Sequence, residues 1–89
     1  MKKIPSKLKI GGITYEVKLI SGLADCGSTK FDTSTILINK DQTEERQATT
    51  LLHEIIEVIS EHNDLNLSHQ TIQTFESNLF QVLVDNFIK

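Results

Sequence analysis

Two segments near the start of the chain alternate polar and apolar residues, the period of half-buried β-strands. They cover residues 7–10 and 13–19, and the pair Gly11-Gly12 lies between them. This pattern predicts a β-hairpin over 7–19. A second hairpin is predicted over 29–40, turning at Asp32-Thr33-Ser34 and returning through a β-branched strand at 35–39.

The hydrophobic period changes after residue 40. Apolar residues then recur at helical spacing, which predicts a helix over about 42–61. Asp41 and Glu44 match a capping box, with Asp41 as the N-cap. A second helix is predicted over 69–87, with Ser68 as its N-cap. Its apolar residues are Ile72, Phe75, Leu79, Val82, Leu83 and Phe87.

The predicted element order is hairpin, hairpin, helix, helix. This order is typical of an α+β fold, in which both helices pack on one face of a small antiparallel sheet. Eighty-nine residues are enough for one small domain with a modest core, so residues 1–89 are predicted to form a single domain.

Composition excludes several function classes. The net charge is −3, and the basic cluster of Lys2, Lys3, Lys7 and Lys9 is not interleaved with aromatic residues, so no nucleic-acid partner is expected. No apolar run is long enough to span a membrane and no signal peptide is recognisable, so we expect a cytoplasmic protein without membrane contact. Cys26 is the single cysteine, which excludes an internal disulfide.

The first predicted helix carries a candidate metal site. His53 and Glu57 are four residues apart, so they project from one face, with Glu54 beside them. Helices with the sequence His-Glu-x-x-His use this layout to bind zinc, and the intervening Glu acts as general base. The same residues also fit an ordinary solvated face, where an i,i+4 pair contributes about 0.2–0.5 kcal/mol.

The second predicted helix adds further polar candidates. Glu76 falls inside the apolar arc, so its carboxylate should be partly buried and should need a partner. His69 and Gln73 continue the stripe with metal-ligating or hydrogen-bonding side chains. Glu76 fits a metal ligand and a helix-edge carboxylate equally well, whereas His69 fits a surface residue in the first turn better than a ligand.

These segments together resemble a known family. The chain is similar to small phage and prophage proteins with a minimal zincin core, related to the ImmA/IrrE-type metallopeptidases. The resemblance rests on Lys-Leu-Lys-Ile-Gly-Gly-Ile-Thr-Tyr-Glu-Val at 7–17 and Thr-Ile-Leu-Ile-Asn at 35–39. It continues through Thr-Leu-Leu-His-Glu-Ile-Ile-Glu at 50–57 and Leu-Phe-Gln-Val-Leu-Val-Asp-Asn at 79–86.

The resemblance implies a zinc ion held by the two His of His-Glu-x-x-His and by an acidic residue on the next helix. It also implies that the strand before the helix that carries the metal ligands is the edge along which an extended substrate pairs. By position, His53 matches the first ligand, Glu54 the general base and Glu57 the second His. Glu76 is the candidate third ligand, and His69 or Gln73 are the alternatives.

Glu57 departs from the family pattern. One His with two carboxylates lowers the Lewis acidity of zinc and shifts preference towards oxygen-loving cations. The expected cofactor is therefore zinc or another divalent cation, with a metal-free protein as the alternative.

Two functions follow from these residues. The first is a non-catalytic binder or regulator of a host or phage protein, which would act in the host cytoplasm. The second is a metal-dependent hydrolase, a peptidase, that uses His53, Glu57 and Glu76 as ligands and Glu54 as base. Both imply a protein or peptide partner. The apolar residues Val84, Phe87 and Ile88 either complete the core or mediate a homodimer through the C-terminal helix.

Overall fold

The computed structural model describes residues 4–87, so Lys2, Lys3 and Ile88 lie outside the described part of the chain. Its elements are β1 Lys7–Ile10, β2 Ile13–Ile20, β3 Gly27–Lys30, β4 Thr35–Asn39, α1 Glu44–His62 and α2 His69–Asn86. The α+β class, the two hairpins and the two helices are confirmed.

The sheet has the strand order β1-β2-β4-β3. Both hairpins are antiparallel, but β2 and β4 pair in parallel, with Val17 opposite Ile36. The prediction of an antiparallel sheet is therefore wrong for the central pair, and the sheet is mixed. The expectation that the strand before the metal helix forms the edge is also wrong. β4 carries a continuous apolar run that suits a central position, and β3 forms that edge of the sheet instead.

Both helices begin at a polar cap. The α2 prediction is confirmed, because the Ser68 side chain accepts a hydrogen bond from the Thr71 backbone N–H at 3.1 Å. The α1 cap is Thr43 rather than Asp41, and its hydroxyl accepts from the Arg46 N–H at 3.2 Å. Asp41 instead accepts from the Gly22 N–H at 2.9 Å, which ties the loop after β2 to the start of α1.

The core lies between α1 and the inner face of the sheet. Ile36 and Ile38 of β4 and Val58 of α1 are fully buried. At one end, the Tyr15 hydroxyl and His62 Nε2 share a hydrogen bond of 2.8 Å. His62 lies against Gly11, where an added Cβ would approach its Nδ1 to 2.9 Å, so this turn needs a glycine for space as well as for its φ of +57°.

The second helix packs along α1 and not on the sheet. The prediction that both helices cover the sheet is therefore wrong for α2, which forms a third layer. Ile72 is the buried residue of α2, whereas three of its large apolar side chains, Phe75, Leu79 and Val82, are at least 40% exposed. Phe87, just after the helix, is 74% exposed. The shielded side of α2 combines Ile72 with Glu76 and Phe80, and much of the apolar surface of the helix stays exposed.

Within the described residues, neither helix is long and apolar enough to cross a membrane.

Candidate metal centre between the two helices

Three potential ligands converge where α2 packs along α1. His53 and Glu57 project from successive turns of α1, and His69 projects from the first turn of α2. One ligand atom from each of these side chains lies within 4.8 Å of the other two. Side chains from two separate helices thus meet at one point.

The spacing of the two α1 side chains suits a shared ion. His53 Nε2 and Glu57 Oε2 are 3.6 Å apart, which is too long for a hydrogen bond. Two ligands at about 2.1 Å from a tetrahedral zinc ion are about 3.4 Å from each other. The His69 ring lies 5.2 Å from the His53 ring, centroid to centroid, and is tilted against it.

Glu76 contacts the other nitrogen of His53. Its Oε1 lies 2.8 Å from His53 Nδ1, and both side chains are largely shielded from solvent. An ionised carboxylate can only accept, so Nδ1 carries the proton and Nε2 is left to face Glu57. Metal-ligating histidines commonly donate their second N–H to a carboxylate in this way. The prediction that Glu76 is partly buried with a partner is confirmed.

Glu54 is buried beneath the cluster, with a relative exposure of 3%. The Thr29 hydroxyl of β3 donates a hydrogen bond to its Oε1 at 2.8 Å. Burial raises the pKa of Glu54 from its ordinary value of 4.5 to about 7. The hydrogen bond from Thr29 lowers the pKa of Glu54, and the negative charge of Glu57 raises it.

The burial of Glu54 and its contact with Thr29 were not predicted. Helical periodicity placed Glu54 on the polar side of α1, and a lone threonine in a short edge strand carries no sequence signal. Thr29 reaches Glu54 because alternate residues of β3 point to the inner face of the sheet.

Gly27 allows β3 to approach α1 closely. A Cβ at this position would lie 2.6 Å from Thr50 Cγ2 and 2.9 Å from the Leu37 carbonyl oxygen. Any larger residue would push β3 away from α1, and with it the Thr29 hydroxyl that holds Glu54. The second hairpin was predicted to begin at residue 29, so Gly27 was not expected to lie in a strand.

A cleft of about 400 Å³ contains the cluster, and we call it the metal cleft. The β3 side contributes Asp25, Cys26 and Gly27, and the first half of α1 contributes Arg46, Thr49 and Thr50. All six site residues predicted from sequence line the same cleft, namely His53, Glu54, Glu57, His69, Gln73 and Glu76.

The donor set fits a zinc ion. His53, Glu57 and His69 supply two imidazoles and one carboxylate, the combination found in catalytic zinc sites with a fourth position open. The sequence pattern has a Glu where a second His is usual on the metal helix. The cluster nevertheless contains a second histidine, because α2 brings His69 into it.

A mixed sheet followed by a helix with His-Glu-x-x-Glu over a cleft defines a zincin-like α+β domain. The chain belongs to the Peptidase_M78 family, because the family model described as IrrE N-terminal-like domain matches residues 14–85, most of its length. The resemblance to the ImmA/IrrE-type metallopeptidases is thereby confirmed. No curated protein and no solved structure matched the chain.

Proposed function

We propose that this protein is a metal-dependent hydrolase that cleaves peptide bonds, with zinc held by His53, Glu57 and His69. The observation that carries this proposal is the convergence of three ligand atoms within 4.8 Å, in a cleft that the buried Glu54 also lines. Membership of a peptidase family supports the same reaction class.

The proposed ligand set differs from the sequence hypothesis by one residue. Glu76 Oε1 lies on Nδ1 of His53, the nitrogen that points away from Glu57. We therefore assign Glu76 to positioning His53, and His69 to the third ligand site. Two imidazoles with one carboxylate suit zinc better than one imidazole with two carboxylates, which favour harder cations.

Glu54 is the proposed general base. A bound zinc ion supplies Lewis-acid polarisation of a carbonyl group and increases the acidity of water. Thr29 holds one carboxylate oxygen of Glu54, and Glu57 also hydrogen-bonds to this carboxyl group. Once Glu57 binds the metal, the second oxygen of Glu54 would be free to take a proton from a water molecule in the cleft. Burial excludes bulk water from this carboxylate, and Thr29 fixes its orientation.

The position of β3 at the edge of the sheet favours a polypeptide as the substrate. β3 forms an edge, so its outer backbone groups have no partner strand among the described elements. The residues that precede and begin β3 line the metal cleft beside the proposed zinc ligands. An extended peptide that pairs with β3 would therefore pass the metal, a mode that peptide-binding proteins commonly use.

Metal analysis and one variant test the proposal. Protein purified without an affinity tag should bind about one equivalent of zinc, and His69→Ala should weaken this binding by more than about 10-fold. Glu54→Gln should bind zinc normally but lose hydrolysis of an unfolded protein such as casein. Glu45→Gln, on the exposed first turn of α1, is the matched control. Less than about a tenth of an equivalent of zinc would overturn the proposal.

A second candidate function is a non-catalytic binder of a host or phage protein. The apolar face of α2 favours it, because Phe75 is 51% exposed and Leu79 and Val82 are about 40% exposed. Replacing Leu79 by Glu should then abolish partner binding, or dimerisation measured by light scattering, without changing zinc affinity. Full biological activity of Glu54→Gln would favour this function over hydrolysis.

A further inference from the structure

A second cavity of about 320 Å³ adjoins the metal cleft, and we call it the side pocket. Glu57 lines both cavities, so the side pocket opens beside the proposed zinc site. Its apolar wall is formed by Phe31 after β3, Leu67 before α2 and the buried Ile72. An aromatic ring and two aliphatic side chains thus surround a space large enough for one long side chain.

The charged residues that line the side pocket are all acidic. Glu57, Glu61 and Asp64 line it, and no lysine, arginine or histidine does so among the described residues. Neither Glu61 nor Asp64 has a cation within salt-bridge distance in the described part of the chain. If Glu57 binds the metal, the other two carboxylates remain for a ligand.

An apolar wall with a carboxylate rim matches one kind of side chain. Lysine and arginine place a hydrophobic stem against apolar surface and keep a charged head near polar groups. Their cations are also attracted to an aromatic face such as that of Phe31, which is 42% exposed. An acidic side chain would be repelled, and a purely apolar one would gain nothing from the exposed carboxylates of Glu61 and Asp64.

The dimensions agree with this ligand. Glu61 lies one helical turn beyond Glu57, which is about 6 Å along the axis of α1. An extended lysine side chain also reaches about 6 Å from its Cα to its ammonium group. A peptide residue whose backbone lies at the metal cluster can therefore place its cation at Glu61.

The rim of the side pocket is held in place before any ligand binds. Ser60 is buried; its carbonyl accepts from the Leu65 N–H at 3.0 Å and its hydroxyl accepts from the Leu67 N–H at 3.2 Å. These bonds fix the turn that carries Asp64, so its position relative to Glu61 is set by the fold. A preformed site loses little conformational entropy on binding.

We infer that the side pocket is the specificity site of the enzyme and binds a lysine or arginine side chain of the substrate next to the bond held at the metal. This inference rests on the proposed function for its substrate class. It goes beyond the proposed function by stating that the neighbouring side chain is a lysine or an arginine.

Binding of matched peptides tests the inference. Short fluorescein-labelled peptides would differ at one position only, carrying lysine, arginine, norleucine or glutamate. Affinity would be measured by anisotropy on zinc-loaded Glu54→Gln, so that no substrate is consumed. We expect lysine and arginine peptides to bind about 10-fold or more tighter than norleucine, which has the same stem without the charge.

Variants assign the preference to the side pocket. The double substitution Glu61→Gln with Asp64→Asn should remove the lysine preference while zinc affinity and the circular dichroism spectrum stay unchanged. Glu45→Gln, outside both cavities, should keep the preference. Equal binding of lysine and norleucine peptides, a preference that survives the double substitution, or no measurable binding of any peptide would each overturn the inference.

The outcome can be separated from that of the proposed function. Zinc content and casein hydrolysis report on the metal site and do not depend on the side pocket. Failure to bind zinc would overturn the proposed function, and the lysine preference would still be measured on the metal-free protein. Normal zinc binding without a lysine preference would overturn this inference alone.

Discussion

Glu76 of α2 accepts a hydrogen bond from Nδ1 of His53 on α1 at 2.8 Å. This contact joins the two helices and determines which nitrogen of His53 faces Glu57. It also explains why a carboxylate lies in the apolar arc of α2, where it is costly without a partner. The hydrogen bond therefore contributes to the packing of α2 as well as to the geometry of the proposed metal site.

Replacing Glu76 should weaken metal binding without changing the fold. Glu76→Ala should lower zinc affinity by about 10-fold to 100-fold, the usual effect of removing a carboxylate that orients a ligating histidine. Glu76→Gln keeps an acceptor without its charge and should fall between Ala and wild type. Competition with a chromophoric zinc chelator measures the affinity. Asp85→Asn, on the same helix but outside the cleft, should match wild type, and unchanged affinity in Glu76→Ala would contradict the assignment.

The ionisation of Glu54 should make stability depend on pH in the metal-free protein. Burial raises the pKa of Glu54 to about 7, so the folded state binds more protons than the unfolded state between 4.5 and that value. Stability must then fall as the pH rises through this window. Glu54→Gln removes the buried charge and should be more stable than wild type by about 1–3 kcal/mol near pH 8.

Urea denaturation in the presence of a chelator checks this prediction. The difference between Glu54→Gln and wild type should shrink as the pH is lowered towards about 4, where Glu54 is protonated in both states. A difference that does not change with pH would show that Glu54 does not titrate in this range.

Zinc should stabilise the fold mainly by holding α2 on α1. The ligand set is divided between the helices, and α2 has one buried residue of its own, Ile72. Zinc at about 100 times its dissociation constant should add about 2.7 kcal/mol of stability, and so raise the melting temperature by about 10 °C or more. His69→Ala should lose most of this increase, whereas Gln70→Ala, the exposed neighbour, should keep it. Equal zinc-induced shifts in both variants would exclude His69 as a ligand.

Gly27→Ala should destabilise the protein through a steric clash. The added Cβ would lie 2.6 Å from Thr50 Cγ2, and overpacking of this kind costs about 1–3 kcal/mol. Thr50→Ser removes that methyl group, so the double variant should recover part of the loss; the Leu37 carbonyl oxygen remains close. Thermal denaturation of the single and double variants measures this coupling. Ser28→Ala, on the exposed side of β3, is the control, and simple additivity would contradict the proposed contact.

The local elements could be predicted from sequence, but the order of the strands could not. Alternation about Gly11-Gly12 and helical spacing from Ala48 onwards depend on neighbouring residues, so they are visible in the chain. The parallel pairing of β2 with β4 depends on where the chain returns after β3. No local pattern encodes that return, although the apolar run of β4 is typical of a central strand.

The residues of the candidate site were proposed from the sequence, but their arrangement in space could not be. Helical spacing identified His53, Glu54, Glu57 and Glu76, and each of them lines the metal cleft. The register between α1 and α2 decides whether His69 or Glu76 lies nearest to Glu57, and periodicity within one helix contains no information about it. The exposure of Phe75, Leu79 and Val82 was not predicted either, since a hydrophobic stripe does not reveal what covers it. For the end of the helix, the sequence left both a core and a dimer interface open.

The division of the ligands between two helices has a kinetic consequence. Because Ile72 is the one fully buried residue of α2 and the helix contacts α1 but not the sheet, α2 should detach more readily than the rest of the fold. Each detachment would remove one of the three ligands and leave the ion on His53 and Glu57 alone. The lifetime of bound zinc would then be governed by the rate at which α2 detaches. The rate of metal exchange would therefore report the rate of this motion.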